Sequence, residues 1–226
     1  MKKNIKPIAL VVGGTSGLGL EMAKILRDQG YDVIVIGRHD PKIEGLKYKY
    51  TNLASPYFIK RIVKYVQKLP KIDLFVYAAG FYQVGTLSEL SEQEIIDMIN
   101  VTSVVPTLML RAILLNQKEL PGFIAITSTS HRIPREVELV YCAAKAYLDM
   151  FGNSASLDKR IEKTLVAGPG GMKSGFYNGT DKDLSNMLDP EWVAEQILKI
   201  FFGGNFKYKK IHIPRDPKSV VIIETR

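Results

Sequence analysis

A tyrosine followed by a lysine one helical turn later, Tyr141-Cys142-Ala143-Ala144-Lys145, is a pairing that can do acid–base chemistry. Residues i and i+4 share a helix face, and an ammonium beside a phenol favours its charged form and lowers its pKa. The result is a proton donor usable near neutral pH. Tyr-x-x-x-Lys alone recurs by chance on ordinary surface helices. Two further signals single it out: Ser128 follows the apolar run Phe123-Ile124-Ala125-Ile126, and a glycine-rich turn stands near the N-terminus.

That turn, Gly13-Gly14-Thr15-Ser16-Gly17-Leu18-Gly19, comes directly after Ile8 to Val12, a run that reads as a strand buried on both faces. Leu20, Met22, Ala23, Ile25 and Leu26 then recur at helical spacing up to Gly30. Strand, glycine turn and helix in this order let backbone N–H groups approach a pyrophosphate at the positive end of a helix, with no Cβ in the way. Tyr31 to Ile36 reads as a second strand ending in Gly37-Arg38. A site for NAD usually places an acid here to hold the ribose 2′-hydroxyl. A guanidinium instead grips a 2′-phosphate, so this position favours NADP, with NADPH preferred over NADH.

Further along, Tyr48 to Thr51 reads as a third strand, and Asn52-Leu53 falls where a loop could pass an adenine. Ser55-Pro56 reads as an N-cap with proline at the first helical position. Ile72 to Tyr77 reads as a fourth strand running into Ala78-Ala79-Gly80, whose small side chains admit a ligand close to the backbone. Ser91-Glu92-Gln93-Glu94 is a capping box, and apolar residues continue from Ile95 to Leu115 around Asn100. Asn100 is either a satisfied core amide or a functional residue. Leu139 to Leu157 reads as the helix carrying Tyr141 and Lys145. Thr164 to Ala167 is a sixth strand, after which Gly168-Pro169-Gly170-Gly171 lays backbone at its carboxyl end. Residues 172–188 read as a lid, Asp189-Pro190 opens a last helix stopped by Gly203-Gly204, and Ile211 to Ile213 reads as an edge strand.

The alternation of strands and helices implies an α/β, Rossmann-type doubly wound parallel sheet, and 226 residues suffice for a single domain over 1–226. No uninterrupted apolar run approaches the roughly 20 residues that span a bilayer, so no membrane is expected. Lys2-Lys3 before the first apolar run mimics a signal peptide, but the run is short and ends in glycines. A lone cysteine excludes an intramolecular disulfide and points to the cytoplasm. The net charge of +8 admits anionic partners, yet its residues, tightest at Lys207, Lys209 and Lys210, are otherwise scattered. No RRM, KH or helix-turn-helix signature accompanies them, so a solvated basic face is expected, not a nucleic-acid surface. His131 and His212 lack ligand-spaced partners, and no metal site is expected.

Val12-Gly13-x-x-x-Gly17-Leu18-Gly19, Ala78-Ala79-Gly80, Asn100, Ser128, Tyr141-x-x-x-Lys145 and Pro169-Gly170 occur in the order and approximate spacing of the short-chain dehydrogenase/reductase family, and the chain resembles one of its compact members. The resemblance covers about residues 8 to 176. It implies that Asn100, Ser128, Tyr141 and Lys145 form a catalytic tetrad. It also implies that Thr15, Ser16, Leu18, Arg38, Asn52, Leu53, Ala79 and Gly80 line a cofactor's phosphates, adenine and ribose, with Met172 and Ser174 beside the nicotinamide. Val12 replaces the threonine that usually begins the glycine motif, Asn52 a frequent aspartate, and Tyr77-Ala78 the usual Asn-Asn pair.

On that basis the expected reaction is reversible hydride transfer between NADP(H) and a carbonyl/alcohol pair in a homodimer or homotetramer. Tyr141 would supply the proton, Lys145 hold the ribose and depress the phenol's pKa, Ser128 polarise the carbonyl, and Asn100 hold a water. A nicotinamide-binding sensor without turnover is the rival. An intact Ser-Tyr-Lys set argues against it, because a sensor has no need of the acid.

Overall fold

The computed structural model describes residues 6–226, so Lys2-Lys3 lie outside the described residues. The strands are β1 (Ile8–Val12), β2 (Asp32–Gly37), β3 (Leu46–Tyr50), β4 (Leu74–Tyr77), β5 (Leu120–Ile126), β6 (Ile161–Pro169), β7 (Tyr208–Ile213) and β8 (Val221–Thr225). They form one sheet in the order β3-β2-β1-β4-β5-β6-β7-β8. All pairings are parallel except β7 with β8. The helices are α1 (Gly17–Asp28), α2 (Pro56–Val66), α3 (Glu92–Ile99), α4 (Val105–Asn116), α5 (Leu139–Ala155) and α6 (Pro190–Phe202).

Continuous runs of β-branched and aliphatic residues make the central strands apolar on both faces, and both faces are covered. One core gathers Leu10, Ile36, Phe75, Phe123 and Ile113 beneath α2, α4 and α5. The other gathers Val11, Met22, Val35, Ile124 and Ile197 beneath α1 and α6. The Phe75 and Phe123 rings stack at 5.3 Å in the first core, each contributing about 1.5–3 kcal/mol by leaving water.

Local capping follows the sequence in part. Ser91 Oγ accepts from Glu94 N at 3.3 Å while Glu94 Oε2 accepts from Ser91 N at 2.9 Å, a complete capping box. Asp189 Oδ1 accepts from Glu191 N at 2.8 Å and opens α6. Ser55 occupies the N-cap of α2, but its side chain makes no capping hydrogen bond, and Pro56 supplies the start instead.

Other expectations are corrected. β7 is interior, not an edge, because Val221–Thr225, unread as a strand in the sequence, folds back antiparallel on it. Residues 92–116 form one 25-residue helical run that by length and hydropathy could cross a membrane, contrary to the sequence reading. Met98, Val105, Met109, Ala112 and Ile113 on its inner side are fully or almost fully buried, which makes it a core helix. The run is not uniform: Asn100–Val104 widens into a π-helical turn between α3 and α4. The basic C-terminal group also has internal work. Lys207 Nζ donates to the carbonyls of Asp158 and Ile161, Lys209 lies over Phe206, and Lys210 pairs with Asp149.

Candidate active site

A cleft of about 440 Å³ opens along the carboxyl ends of β1, β4, β5 and β6, where the connections leaving β1 and β4 run in opposite directions along the sheet. Its floor is the glycine turn. Gly13 has φ +81°, and a Cβ there would stand 2.5 Å from Ala79 N; at Gly19 it would stand 2.3 Å from Gly13 O. Neither position tolerates a side chain without moving backbone. The turn therefore packs flush against Ala78-Ala79 and presents bare N–H groups at the start of α1.

One end of the cleft is lined by Thr15, Ser16, Arg38, Asn52 and Leu53. Gly37 is fixed by Thr15, whose Oγ1 would lie 2.1 Å from a Cβ at that position. Asp97 of α3 also belongs to the cleft lining. Arg38 is exposed at the rim and makes no ion pair or hydrogen bond among the described residues. Asn52 Oδ1 accepts from Ala54 N at 3.1 Å, which shapes its loop.

The other end holds Ser128, Tyr141 and Lys145, delivered by the turn after β5 and the first two turns of α5. Tyr141 and Lys145 are 6% and 4% exposed. Lys145 Nζ donates to Ile126 O at 3.4 Å and sits 5.8 Å from the centre of the Tyr141 ring. Burial lowers its pKa to about 8. Gly80 faces the same amine, 3.3 Å from where its Cβ would stand. Gly17, Leu18, Ala79, Pro169, Gly170, Met172 and Ser174 complete the lining. Ser174 Oγ accepts from Phe176 N, and Met172 bridges to Leu188, closing the base of the 172–188 segment.

The phenol corrects one expectation. Burial raises the Tyr141 pKa well above 10; the Ser128 hydroxyl draws it down, while Tyr177, Glu138 and Cys142 push it up. Lys145, whose Nζ lies 5.8 Å from the ring centre, is not among the groups that depress it, and burial outweighs the rest.

Asn100 lies apart from the cleft lining. Its side-chain amide donates to Ala54 O at 3.0 Å, and its backbone carbonyl accepts the N–H of Val105 across the π turn. The buried Tyr77 hydroxyl, standing where the family usually has an asparagine, donates to Val101 O in that turn.

An aromatic wall absent from the sequence reading covers Tyr141: Tyr82 and Phe176 lie 6.0 and 6.3 Å from it, and Tyr177 lies 4.9 Å from Tyr82. Behind it, Glu138 Oε1 accepts from Tyr82 at 2.7 Å, with Arg135 at 3.5 Å and Lys182 at 3.8 Å from its carboxylate. Its only signal in the sequence was aromatic pairs, Phe81-Tyr82 and Phe176-Tyr177, set in otherwise small, polar loops.

A short chain dehydrogenase family model matches residues 7–184. The chain belongs to the short-chain dehydrogenase family. A short chain dehydrogenase of Pseudocercospora fijiensis is 26% identical over 240 residues, spanning 96% of this chain and 75% of the relative. Among solved structures, a short-chain dehydrogenase of Sphingobium yanoikuyae in complex with NADPH superposes with a TM-score of 0.78 at 16% identity, over 86% of this chain and 84% of that one. One from Burkholderia cenocepacia in complex with NADP gives 0.76 at 19% identity, over 92% and 96%. At such identities the structural likeness speaks to the fold.

Proposed function

We infer that the protein is an NADP(H)-dependent oxidoreductase that interconverts a carbonyl and an alcohol. One observation carries the reading: the glycine turn at the start of α1 and the Ser128, Tyr141, Lys145 group line a single cleft. The cradle a Cβ would fill at Gly13 and Gly19 fits a dinucleotide's pyrophosphate, and Arg38, with no ion pair among the described residues, fits a 2′-phosphate. That both cited structural neighbours hold NADPH or NADP supports the choice.

A bound nicotinamide supplies or accepts the hydride. The chain's own residues do the rest. Tyr141, kept protonated by burial, gives its phenolic proton to the oxygen of a carbonyl being reduced, and takes it back in the oxidative direction. Ser128 donates a hydrogen bond to the same oxygen and stabilises the charge that develops there. Lys145 holds the nicotinamide ribose. Asn100 has a positioning role, tying the π turn to the loop at Ala54. Residues 172–188, with Phe176 and Tyr177, form the lid that excludes water.

Apolar side chains of α3 and α5 that remain exposed, Ile96, Ile99 and Met150 among them, support a homodimer or homotetramer. The experiment is NADPH oxidation monitored against a panel of aliphatic and aryl aldehydes, ketones, diketones and acyl thioesters. Turnover with any of them upholds the reading. Tight NADPH binding with no turnover across the panel would favour the sensor instead.

A further inference from the structure

Behind Ser128, on the side away from the cleft, two histidines far apart in sequence meet in the core. The side chain of His131 is 4% exposed, and His212 as a residue 3%. The carbonyl of Ser128 accepts twice from His131, once from its backbone N–H at 3.1 Å and once from ring Nδ1. A carbonyl cannot donate, so Nδ1 carries the hydrogen. In a neutral ring Nε2 is then an acceptor, and its partner at 3.3 Å is His212 Nε2, which must carry its own hydrogen there. Two buried atoms left without a hydrogen-bond partner, His212 Nδ1 and Asp149 Oδ1, are the ones this arrangement leaves without a donor. Asp149 Oδ1 stands 3.5 Å from His131 Nε2, and the Asp149 charge is met by Lys210 at 2.7 Å. Burial lowers the pKa of His131 and brings that of His212 to about 4, which agrees with two neutral rings.

The Ser128 hydroxyl has its own tether, accepting from Ser130 N at 3.1 Å within the same tight turn. Carbonyl and hydroxyl of one residue are thus both fixed by the turn that His131 closes. We propose that His131 is a positioning residue for Ser128, its Nδ1–H tautomer complemented by an Nε2–H from His212 so that the serine carbonyl is gripped and the serine hydroxyl is aimed at the substrate oxygen. This rests on the reading of Ser128 given above.

The test uses the full chain. It compares His131→Asn, whose amide nitrogen replaces Nδ1; His131→Phe, which keeps a ring but no donor; and Ser128→Ala. The first readout needs no substrate: two-bond ¹H–¹⁵N spectra of a chain with only His39, His131 and His212. They should show His131 as the Nδ1–H tautomer and His212 as Nε2–H. Nε2–H or imidazolium at His131 overturns the proposal. The second readout is NADPH oxidation with the fastest carbonyl of the panel. His131→Asn should keep kcat close to wild type. His131→Phe should lose about 10- to 100-fold in kcat, the scale of a misplaced group, with KM for NADPH unchanged. Equal turnover of the two variants, with Ser128→Ala inactive, overturns the proposal alone. Full turnover of Ser128→Ala overturns the role of the serine as well. If the Phe variant does not fold, loss of kcat in the folded Asn variant overturns the proposal.

Discussion

The phenol of Tyr77, fully buried in the central strand β4, donates to the backbone carbonyl of Val101 in the π turn that joins α3 to α4. A π turn breaks the regular helical ladder, and a carbonyl so placed in a dry core needs a donor. In this chain the donor comes from a tyrosine, and the same turn carries Val101 into the cleft lining. Tyr77→Phe keeps the ring and its packing while leaving that acceptor bare. The expected cost is about 1–3 kcal/mol, read from urea melts of the two proteins. An unchanged midpoint would mean that the carbonyl finds another partner.

Arg38 sits at the cleft rim near Asn52 and Leu53 with no ion pair or hydrogen bond among the described residues, so its charge is available to a ligand. Arg38→Ala should weaken NADPH binding by about 1.5–3 kcal/mol, the range for hydrogen bonds to charged groups, and leave NADH binding unchanged. Fluorescence titration with both nucleotides decides it. Equal losses for both would place the arginine elsewhere than on the 2′-phosphate.

Lys145 titrates at about 8 in the folded chain against 10.5 in an unfolded one. Between those values the unfolded state binds more protons, so stability rises as pH climbs from 8 to 10.5 and is lowest below 8. At neutral pH the buried ammonium costs roughly 3 kcal/mol. Lys145→Met should therefore raise the urea midpoint at neutral pH and abolish the alkaline rise. A midpoint that falls would show that the amine has a compensating partner in solution.

Much of this arrangement was legible in the chain. Ile8–Val12 and Asp32–Gly37 announce themselves because strands buried on both faces must be continuously apolar, and Gly13 and Gly19 because close backbone approach admits nothing larger. Val221–Thr225 was not, since its Val221, Ile222 and Ile223 remain exposed and it owes its strand to pairing with β7. The π turn does have a mark in the sequence that went unread: Pro106, just after Asn100–Val104, has no N–H for the Thr102 carbonyl and crowds the preceding turn. The Tyr141 pKa was misjudged for a tertiary reason. Helical spacing reveals Lys145, but not the burial that Tyr82 and Phe176 bring from distant loops. His131 and His212 are 81 residues apart, and the sheet order β5-β6-β7 brings the turn after β5 to His212 on β7.

The segment 172–188 is tied to the body through Lys182, which donates to the Tyr82 hydroxyl at 3.0 Å and lies 3.8 Å from Glu138. Lys182 is exposed, so the pair adds little to global stability. Lys182→Ala should leave the melting temperature nearly unchanged while speeding hydrogen exchange across 173–187. Unaltered exchange there would mean that Phe176 and Tyr177 packing alone holds the segment down.

Tyr141 and Lys145 share one face of α5 but have different proposed roles, and their variants should separate. Tyr141→Phe keeps the ring against Tyr82 and Phe176 and deletes only the hydroxyl. NADPH affinity should stay nearly unchanged while turnover falls by roughly 10²- to 10⁴-fold, the scale of lost general acid catalysis. Lys145→Ala removes an amine that faces Gly80 in the cleft, so it should weaken NADPH binding as well as turnover. Burial keeps the wild-type phenol protonated well above neutral pH, so reduction should proceed undiminished from neutral to mildly alkaline pH. If Tyr141→Phe turns over a carbonyl substrate at close to the wild-type rate, the proton comes from another group, and the chemistry assigned to this helix is wrong.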